Sequence, residues 1–246
     1  MSVRKLIVFG DSWCHGDELV DPELVKKYPN STQKLCSFKD NDAYRINHCY
    51  GGLLSKRLGL EYENYGQPGA SLQSTVWTFL WWLKNCYSED AIILVALTSP
   101  DRQSWYNPQH RVYENDKDWH RYIHSTWIEA KSSVVPKIWQ DFGKQYTALS
   151  NCDILSELNY QQTVLFFNGI AETQHLNLLQ FNIFHLHQPI PGVTYKTLIW
   201  EEQPLKDRLL NRDDAQQIHA PERHPNEQGH KIIAELLLAE INRHGF

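Results

Sequence analysis

Unbroken apolar runs mark the predicted strands of this chain. Residues 5–10 (KLIVFG) and 91–97 (AIILVAL) are apolar at nearly every position, which is typical of strands that are buried on both faces. Less regular runs predict further strands at 62–65, 178–186 and 197–200. Segments of helical periodicity alternate with these runs. The pattern therefore predicts an α/β fold with a mostly parallel sheet covered by helices.

End signals delimit three of the predicted helices. One spans 50–58 and ends at Gly59, and another is capped by Ser71 and runs to about Tyr87. Asn226 is predicted to cap the last helix. Its apolar stripe consists of Ile232, Ile233, Leu236, Leu237 and Ile241.

Two segments in the middle of the chain carry mostly helical spacing. The first is 121–148, which Pro136 should kink or split. The second is 153–174, although its run VLFF at 164–167 is also compatible with a strand. One helical face of the second segment is predicted to carry Leu155, Leu158, Leu165 and Phe167.

Length and composition favour one domain over residues 1–246, with irregular insertions at about 17–48, 99–120 and 187–223. The net charge of −5 has no basic cluster, which argues against nucleic acid as a partner. The five cysteines are odd in number and contain no C-x-x-C pair, so neither a disulfide framework nor a zinc site is expected. The apolar run near the start is too short for a signal peptide or a membrane span. We therefore expect a cytoplasmic protein without a membrane anchor.

Candidate chemistry follows the strand ends, because open parallel sheets bind ligands beyond the carboxyl ends of their strands. Gly10-Asp11-Ser12 follows the first strand, and a glycine-containing loop with Gly69 follows the second. Thr98 and Arg102 follow the third, and His224 precedes the last helix. A serine hydroxyl needs a base within hydrogen-bonding distance to become a nucleophile, so Ser12 and His224 form a candidate pair.

Three short motifs resemble the conserved blocks of SGNH (GDSL-type) hydrolases, in the order of that family. They are Phe9-Gly10-Asp11-Ser12, the stretch NYGQPGAS around Gly69, and HPNEQGH from His224 to His230. The resemblance implies a flavodoxin-like three-layer sandwich and ester hydrolysis through an acyl-serine. Ser12 would be the nucleophile, His224 the general base, and the N–H groups of Ser12 and Gly69 the oxyanion donors. The motif style also resembles relatives found in phage genomes.

Two blocks depart from the family pattern. The stretch aligned with the third block, Ala96 to Ser99, lacks its asparagine, and the Thr98 hydroxyl is the candidate replacement as oxyanion donor. The acid expected three residues before His224 is absent, since Pro221 stands there. Glu222 is the first candidate for the acid. Asp213, Asp214 and a backbone carbonyl remain alternatives.

Further assignments concern the substrate and the rival function. Candidate substrate contacts are Asp11, Arg102 and Trp105. The resemblance implies that the ligand is a small-molecule or glycan ester. The aromatic residues of 105–127 suit an insertion packed on the body, or else a sugar platform.

His230 is a poorer second choice as base. His185 and His187 lack a third ligand, so no metal is expected, nor any cofactor. The rival is a ligand- or glycan-binding protein on the same scaffold, with catalysis weakened or lost.

Overall fold

A five-stranded parallel sheet runs through the computed structural model, and a separate two-stranded antiparallel pair accompanies it. In chain order the strands are β1 (Lys5–Gly10), β2 (Glu61–Gly66), β3 (Ala91–Leu97), β4 (Ser104–Tyr106), β5 (Tyr122–His124), β6 (Asn177–Asn182) and β7 (Leu198–Ile199). The large sheet has the order β2-β1-β3-β6-β7, and each of its neighbouring pairs is parallel. β4 pairs with β5.

The structure describes residues 4–29, 35, 39–106, 122–124, 137–150, 153–184, 190, 193–219 and 224–246. Its helices are α1 (Ser12–His15), α2 (Pro22–Lys27), α3 (Asp42–His48), α4 (Tyr50–Leu58), α5 (Leu72–Asn85), α6 (Lys137–Ser150), α7 (Asp153–Thr173), α8 (Leu205–Leu210) and α9 (Glu227–His244). Among them, no helix is both long and apolar enough to cross a membrane.

Alternate residues of the sheet point to opposite faces and divide the core into two clusters. Leu6, Val8 and Leu94 face one side, where α4, α8 and α9 supply buried partners. Ile7, Phe9 and Ile93 face the other side, where α5 and α7 pack. Because the sheet is covered on both faces, its central strands carry continuous apolar runs. The three-layer α/β architecture predicted from the sequence is confirmed.

Several predicted strands and helix ends are confirmed, but three predictions are wrong in part. The strand predicted at 178–186 ends at Asn182, β5 lies within the predicted helical segment 121–148, and α8 lies within the insertion at 187–223. The strand at 91–97 and the caps at Gly59, Ser71 and Asn226 lie where the sequence places them. The interpretation of 17–48 as an irregular loop is wrong in part, because α2 and α3 lie within it. Pro136 and most of the 99–120 insertion lie outside the described residues.

The helix α7 is confirmed and the strand alternative at 164–167 is excluded, but the four residues predicted to share one face do not share it, because Phe167 is buried and the three leucines are not. Leu155, Leu158 and Leu165 are 52%, 55% and 40% exposed. The residues of α7 that are buried are Tyr160, Thr163, Val164, Phe167, Asn168 and Ala171. The face that meets α5 and the sheet is therefore rotated from the one that the leucines mark.

The order β2-β1-β3 places a topological switch point at the carboxyl ends of β1 and β3. At such a point the connections leave towards opposite sides of the sheet and open a crevice. Ser12 follows β1 and Thr98 follows β3. The fold thus brings two of the predicted site segments to the same edge of the sheet.

Candidate active site

Ser12 is held at the first turn after β1. Asp11 caps α1, since its Oδ1 accepts a hydrogen bond from the Trp13 amide at 3.0 Å. Gly10 permits the tight passage between strand and helix, because a Cβ there would lie 2.3 Å from Cys14 Sγ and 2.9 Å from Ala96 Cβ. Ser12 is 7% exposed. Its position is therefore fixed by a short, densely packed turn.

His224 meets this serine from the far end of the chain. Its Nε2 lies 2.9 Å from Ser12 Oγ, across 212 residues of sequence. The segment is anchored where α9 begins, because Asn226 Oδ1 accepts from the Gly229 amide at 3.0 Å and the Asn226 amide donates to Ile218 O at 3.0 Å. The distance between Nε2 and Oγ suits proton transfer from the hydroxyl to the imidazole.

Glu18 completes a chain of contacts through the imidazole. Its Oε1 lies 3.1 Å from His224 Nδ1, and the two side chains are 20% and 23% exposed. A carboxylate that is ionised only accepts hydrogen bonds, so pairing with ionised Glu18 requires the His224 tautomer that carries its proton on Nδ1. Nε2 is then free to accept the serine proton.

Glu18 is the residue that reasoning from sequence missed. Glu222, the first candidate for the acid, lies outside the described residues. Asp214 is engaged by Arg212, whose Nε donates to it at 2.8 Å, and Asp213 is exposed. No local pattern distinguishes Glu18 from other acids of the chain, because its partner lies 206 residues away.

Asp11, Thr98 and Arg102 form a compact polar cluster beneath Ser12. The Thr98 hydroxyl donates to Asp11 Oδ2 at 2.9 Å. Arg102 Nη1 donates to the same Oδ2 at 2.8 Å and to Thr98 Oγ1 at 2.7 Å. Asp11 is fully buried, and the Thr98 hydroxyl donates its proton to Asp11 in this arrangement. The roles of Asp11 as a substrate contact and of Thr98 as an oxyanion donor stay predictions.

Arg102 is the part of the cluster that reaches towards solvent. Its side chain is 20% exposed, and its guanidinium lies 5.1 Å from the centre of the Phe184 ring. Phe184 in turn packs edge-on against Trp13 at 5.4 Å. Arg102 therefore forms an ion pair with a buried carboxylate, and its role as a substrate contact stays a prediction.

Gly69 lies in the turn that connects β2 to α5. Its φ of 77° is a backbone conformation that favours glycine. The turn is tied to β1, because the Gln67 amide donates to Gly10 O at 2.9 Å and the Ala70 amide donates to Gln67 O at 3.1 Å. The turn therefore holds the backbone of Gly69 close to the end of β1.

Trp105 belongs to an aromatic cluster on β4 and α6. Its ring meets those of Phe142 and Tyr146 edge-on, at 5.7 Å and 5.6 Å between centroids. Phe142 is 44% and Tyr146 38% exposed. The contacts of Trp105 agree with packing of the insertion, and the two partners keep part of their rings open.

His230, the second choice as base, is fully buried in α9. Its Nδ1 accepts from the Tyr50 amide at 3.1 Å, and burial, with a smaller effect of the His224 charge, lowers its pKa to about 3. A base with this pKa is not matched to neutral pH. His185 and His187 lie outside the described residues, and within those residues no three His, Cys, Asp or Glu side chains are grouped to hold a metal ion.

Comparisons with known proteins gave matches among solved structures. No family model and no curated protein matches the chain. An α/β hydrolase from the metagenome of Lake Arreo, Spain, is 15% identical over 98% of this chain and 97% of its own, with a TM-score of 0.48. A putative lipolytic protein of the G-D-S-L family from Desulfitobacterium hafniense DCB-2 is 10% identical over 96% and 98%, with a TM-score of 0.38. A lipase/acylhydrolase from Enterococcus faecalis is 13% identical over 98% and 97%, with a TM-score of 0.37.

Proposed function

We propose that the protein is a serine esterase or acyl hydrolase that cleaves a small or carbohydrate-borne ester through an acyl-Ser12 intermediate. The observation that carries the proposal is the 2.9 Å contact between His224 Nε2 and Ser12 Oγ at the switch point of the sheet. Neither Ser12 nor His224 alone would be strong support for an activated nucleophile. Two segments that are 212 residues apart are held together there by separate local anchors, which also supports a single domain over 1–246.

The reaction proceeds in two half-reactions. Ser12 Oγ attacks the ester carbonyl while His224 Nε2 takes its proton, and the resulting imidazolium protonates the leaving alcohol as the acyl-serine forms. Water then attacks the acyl-serine, His224 accepts one proton from the water and returns it to Ser12 Oγ, and a carboxylic acid leaves. The backbone N–H groups of Ser12 and Gly69 are the proposed oxyanion donors. In support, the turn that contains Gly69 is tied to the end of β1, where the Gln67 amide donates to Gly10 O.

The substrate contacts are proposed on the rim after β3. Arg102 keeps part of its guanidinium exposed while Asp11 balances its charge, so it suits a polar group of the substrate better than a full anion. Trp105 continues the same segment and leads to the partly open rings of Phe142 and Tyr146. An aromatic wall at this place suits an acyl chain or a sugar ring.

The test is labelling with a fluorophosphonate probe, which reacts only with an activated serine. Wild-type protein is expected to be labelled, and Ser12→Ala to lose the label completely because the attacking oxygen is gone. His224→Ala should slow labelling by about 10²–10⁴-fold through loss of the base. Ser88→Ala is the matched control, because Ser88 precedes β3 at the opposite edge of the sheet. Labelling that persists in Ser12→Ala would show that the nucleophile is elsewhere.

The rival function is a ligand- or glycan-binding protein on the same scaffold. One observation favours it: the Thr98 hydroxyl is committed to Asp11, so the third strand supplies no hydroxyl donor for the oxyanion. A folded wild-type protein that resists the probe, even at high concentration and long reaction times, would decide for this rival.

A further inference from the structure

Glu18 has a backbone conformation that residues other than glycine rarely adopt. Its φ is 70°, in the left-handed region, whereas glycine supplies the other positive φ of this segment at Gly16 (83°). Non-glycine residues in this region tend to mark functional positions, because the surrounding structure must hold them there. Glu18 has both this conformation and a carboxylate that contacts His224 Nδ1.

The chain on both sides of Glu18 is fixed by hydrogen bonds. The amides of Gly16 and Asp17 both donate to Ser12 O at 3.0 Å, which ties the segment to the nucleophile itself. On the other side, Asn41 Nδ2 donates to Leu19 O at 2.8 Å, and the Leu19 side chain is buried. The carboxylate is therefore presented by a rigid segment.

The neighbouring acid is already committed to another partner. Asp17 Oδ1 lies 2.5 Å from His15 Nδ1. Glu18 and Asp17 thus serve different imidazoles, although they are adjacent in sequence. This division makes Asp17 a close internal control for the effect of charge alone.

We propose that Glu18 is the positioning residue of His224: it fixes the Nδ1–H tautomer, orients the ring towards Ser12, and balances the imidazolium that forms during proton transfer. This role rests on the proposed function of Ser12 and His224. The acid is then delivered from the turn that follows the nucleophile, six residues after Ser12, and not from the segment that carries the base. Such an origin accounts for a proline at position 221, where the resembled family has its acid.

The experiment compares Glu18→Gln, Glu18→Asp, Asp17→Asn and Glu222→Gln with the wild type. The readouts are kcat/KM for p-nitrophenyl acetate and the fluorophosphonate labelling rate, both as functions of pH. Glu18→Gln keeps the size of the side chain but loses the charge. We expect its rate at pH 7 to fall by about 10²–10⁴-fold and the midpoint of its acid limb to move to lower pH, because the imidazolium has lost its counter-charge.

Glu18→Asp should recover part of the rate, and Asp17→Asn should stay within about threefold of the wild type. Rates of Glu18→Gln that match the wild type at every pH would overturn the proposal. A loss seen in Glu222→Gln, with Glu18→Gln unaffected, would also overturn it and would assign the acid to Glu222.

A second readout needs no activity. In the wild type, NMR of the histidine ring protons should show a hydrogen-bonded Nδ1–H of His224, identified by its absence from His224→Ala. Glu18→Gln should shift or remove this signal, and Asp17→Asn should leave it. If the NMR signal depends on Glu18 but the protein resists the probe, the contact between Glu18 and His224 is upheld and the proposed esterase activity is refuted. A signal that ignores Glu18→Gln would refute the contact itself.

Discussion

The buried imidazole of His230 should make the protein lose stability on mild acidification. Its side chain lies in α9 with no exposed surface, and its Nδ1 accepts from the Tyr50 amide. Burial lowers its pKa from 6.5 to about 3, the positive charge of His224 adds to this, and Asp17 opposes it. The folded protein therefore keeps His230 neutral at pH values where the unfolded chain protonates it.

The sign and size of the effect follow from proton linkage. Between pH 6.5 and about 3 the unfolded state binds one proton more than the folded state at this residue, so stability falls as the pH falls. Each pH unit in this window corresponds to about 1.4 kcal/mol. From pH 7 to pH 5 the free energy of unfolding should thus decrease by about 2 kcal/mol on account of His230 alone.

The assay is urea unfolding at pH 7 and pH 5 for the wild type and His230→Asn. Asparagine does not titrate, and its Oδ1 can still accept from the Tyr50 amide. The variant is less stable at both pH values because it packs less well, but it should lose about 2 kcal/mol less than the wild type between them. His175→Asn is the control, because His175 is exposed and asparagine tolerates its φ of 53°. Equal losses for wild type and His230→Asn would refute the reasoning.

Two further predictions concern packing and charge next to Ser12. Gly10→Ala should reduce the free energy of unfolding in a urea titration by about 3 kcal/mol, since the new Cβ would lie 2.3 Å from Cys14 Sγ. Gly59→Ala is the control and should cost only about 1–2 kcal/mol, because its new Cβ meets nothing within 4 Å. An equal cost for the two variants would contradict the packing argument. Arg102→Ala should cost about 3–5 kcal/mol because it leaves the Asp11 carboxylate buried without its cation. Adding Asp11→Asn should recover part of that loss, and no recovery in thermal unfolding would show that the charge is not the cause.

The central strands and the helix ends could be predicted because their signals are local. The run at 91–97 is buried on both faces whatever helices cover it, and Ser71, Gly59 and Asn226 act on the backbone of their own helices. The same local signals begin α2, where Asp21 accepts from the Glu23 amide and Pro22 opens the helix, although its segment was predicted to be a loop.

Helix periodicity alone did not decide which face of α7 is buried. Of the four residues predicted to share a face, only Phe167 is buried, and it lies with Tyr160 and Val164 in the cluster against the sheet. The leucines at 155, 158 and 165 are exposed. Periodicity reports that a helix has an apolar face. Which face is covered depends on where α5 and the strands lie, and that information is distributed over the whole chain.

The sequence determined the alternation of strands and helices, the turn that carries Ser12, and the loop that carries His224. Which distant side chains are in contact depends on the tertiary structure alone. It brings His224 Nε2 to Ser12 and Glu18 to His224 Nδ1, and it lets the Thr98 hydroxyl donate a hydrogen bond to Asp11. The physical reason is range. Caps and apolar runs act over a few residues, whereas a hydrogen bond between distant side chains depends on distances of a few tenths of an ångström that only the packed fold sets.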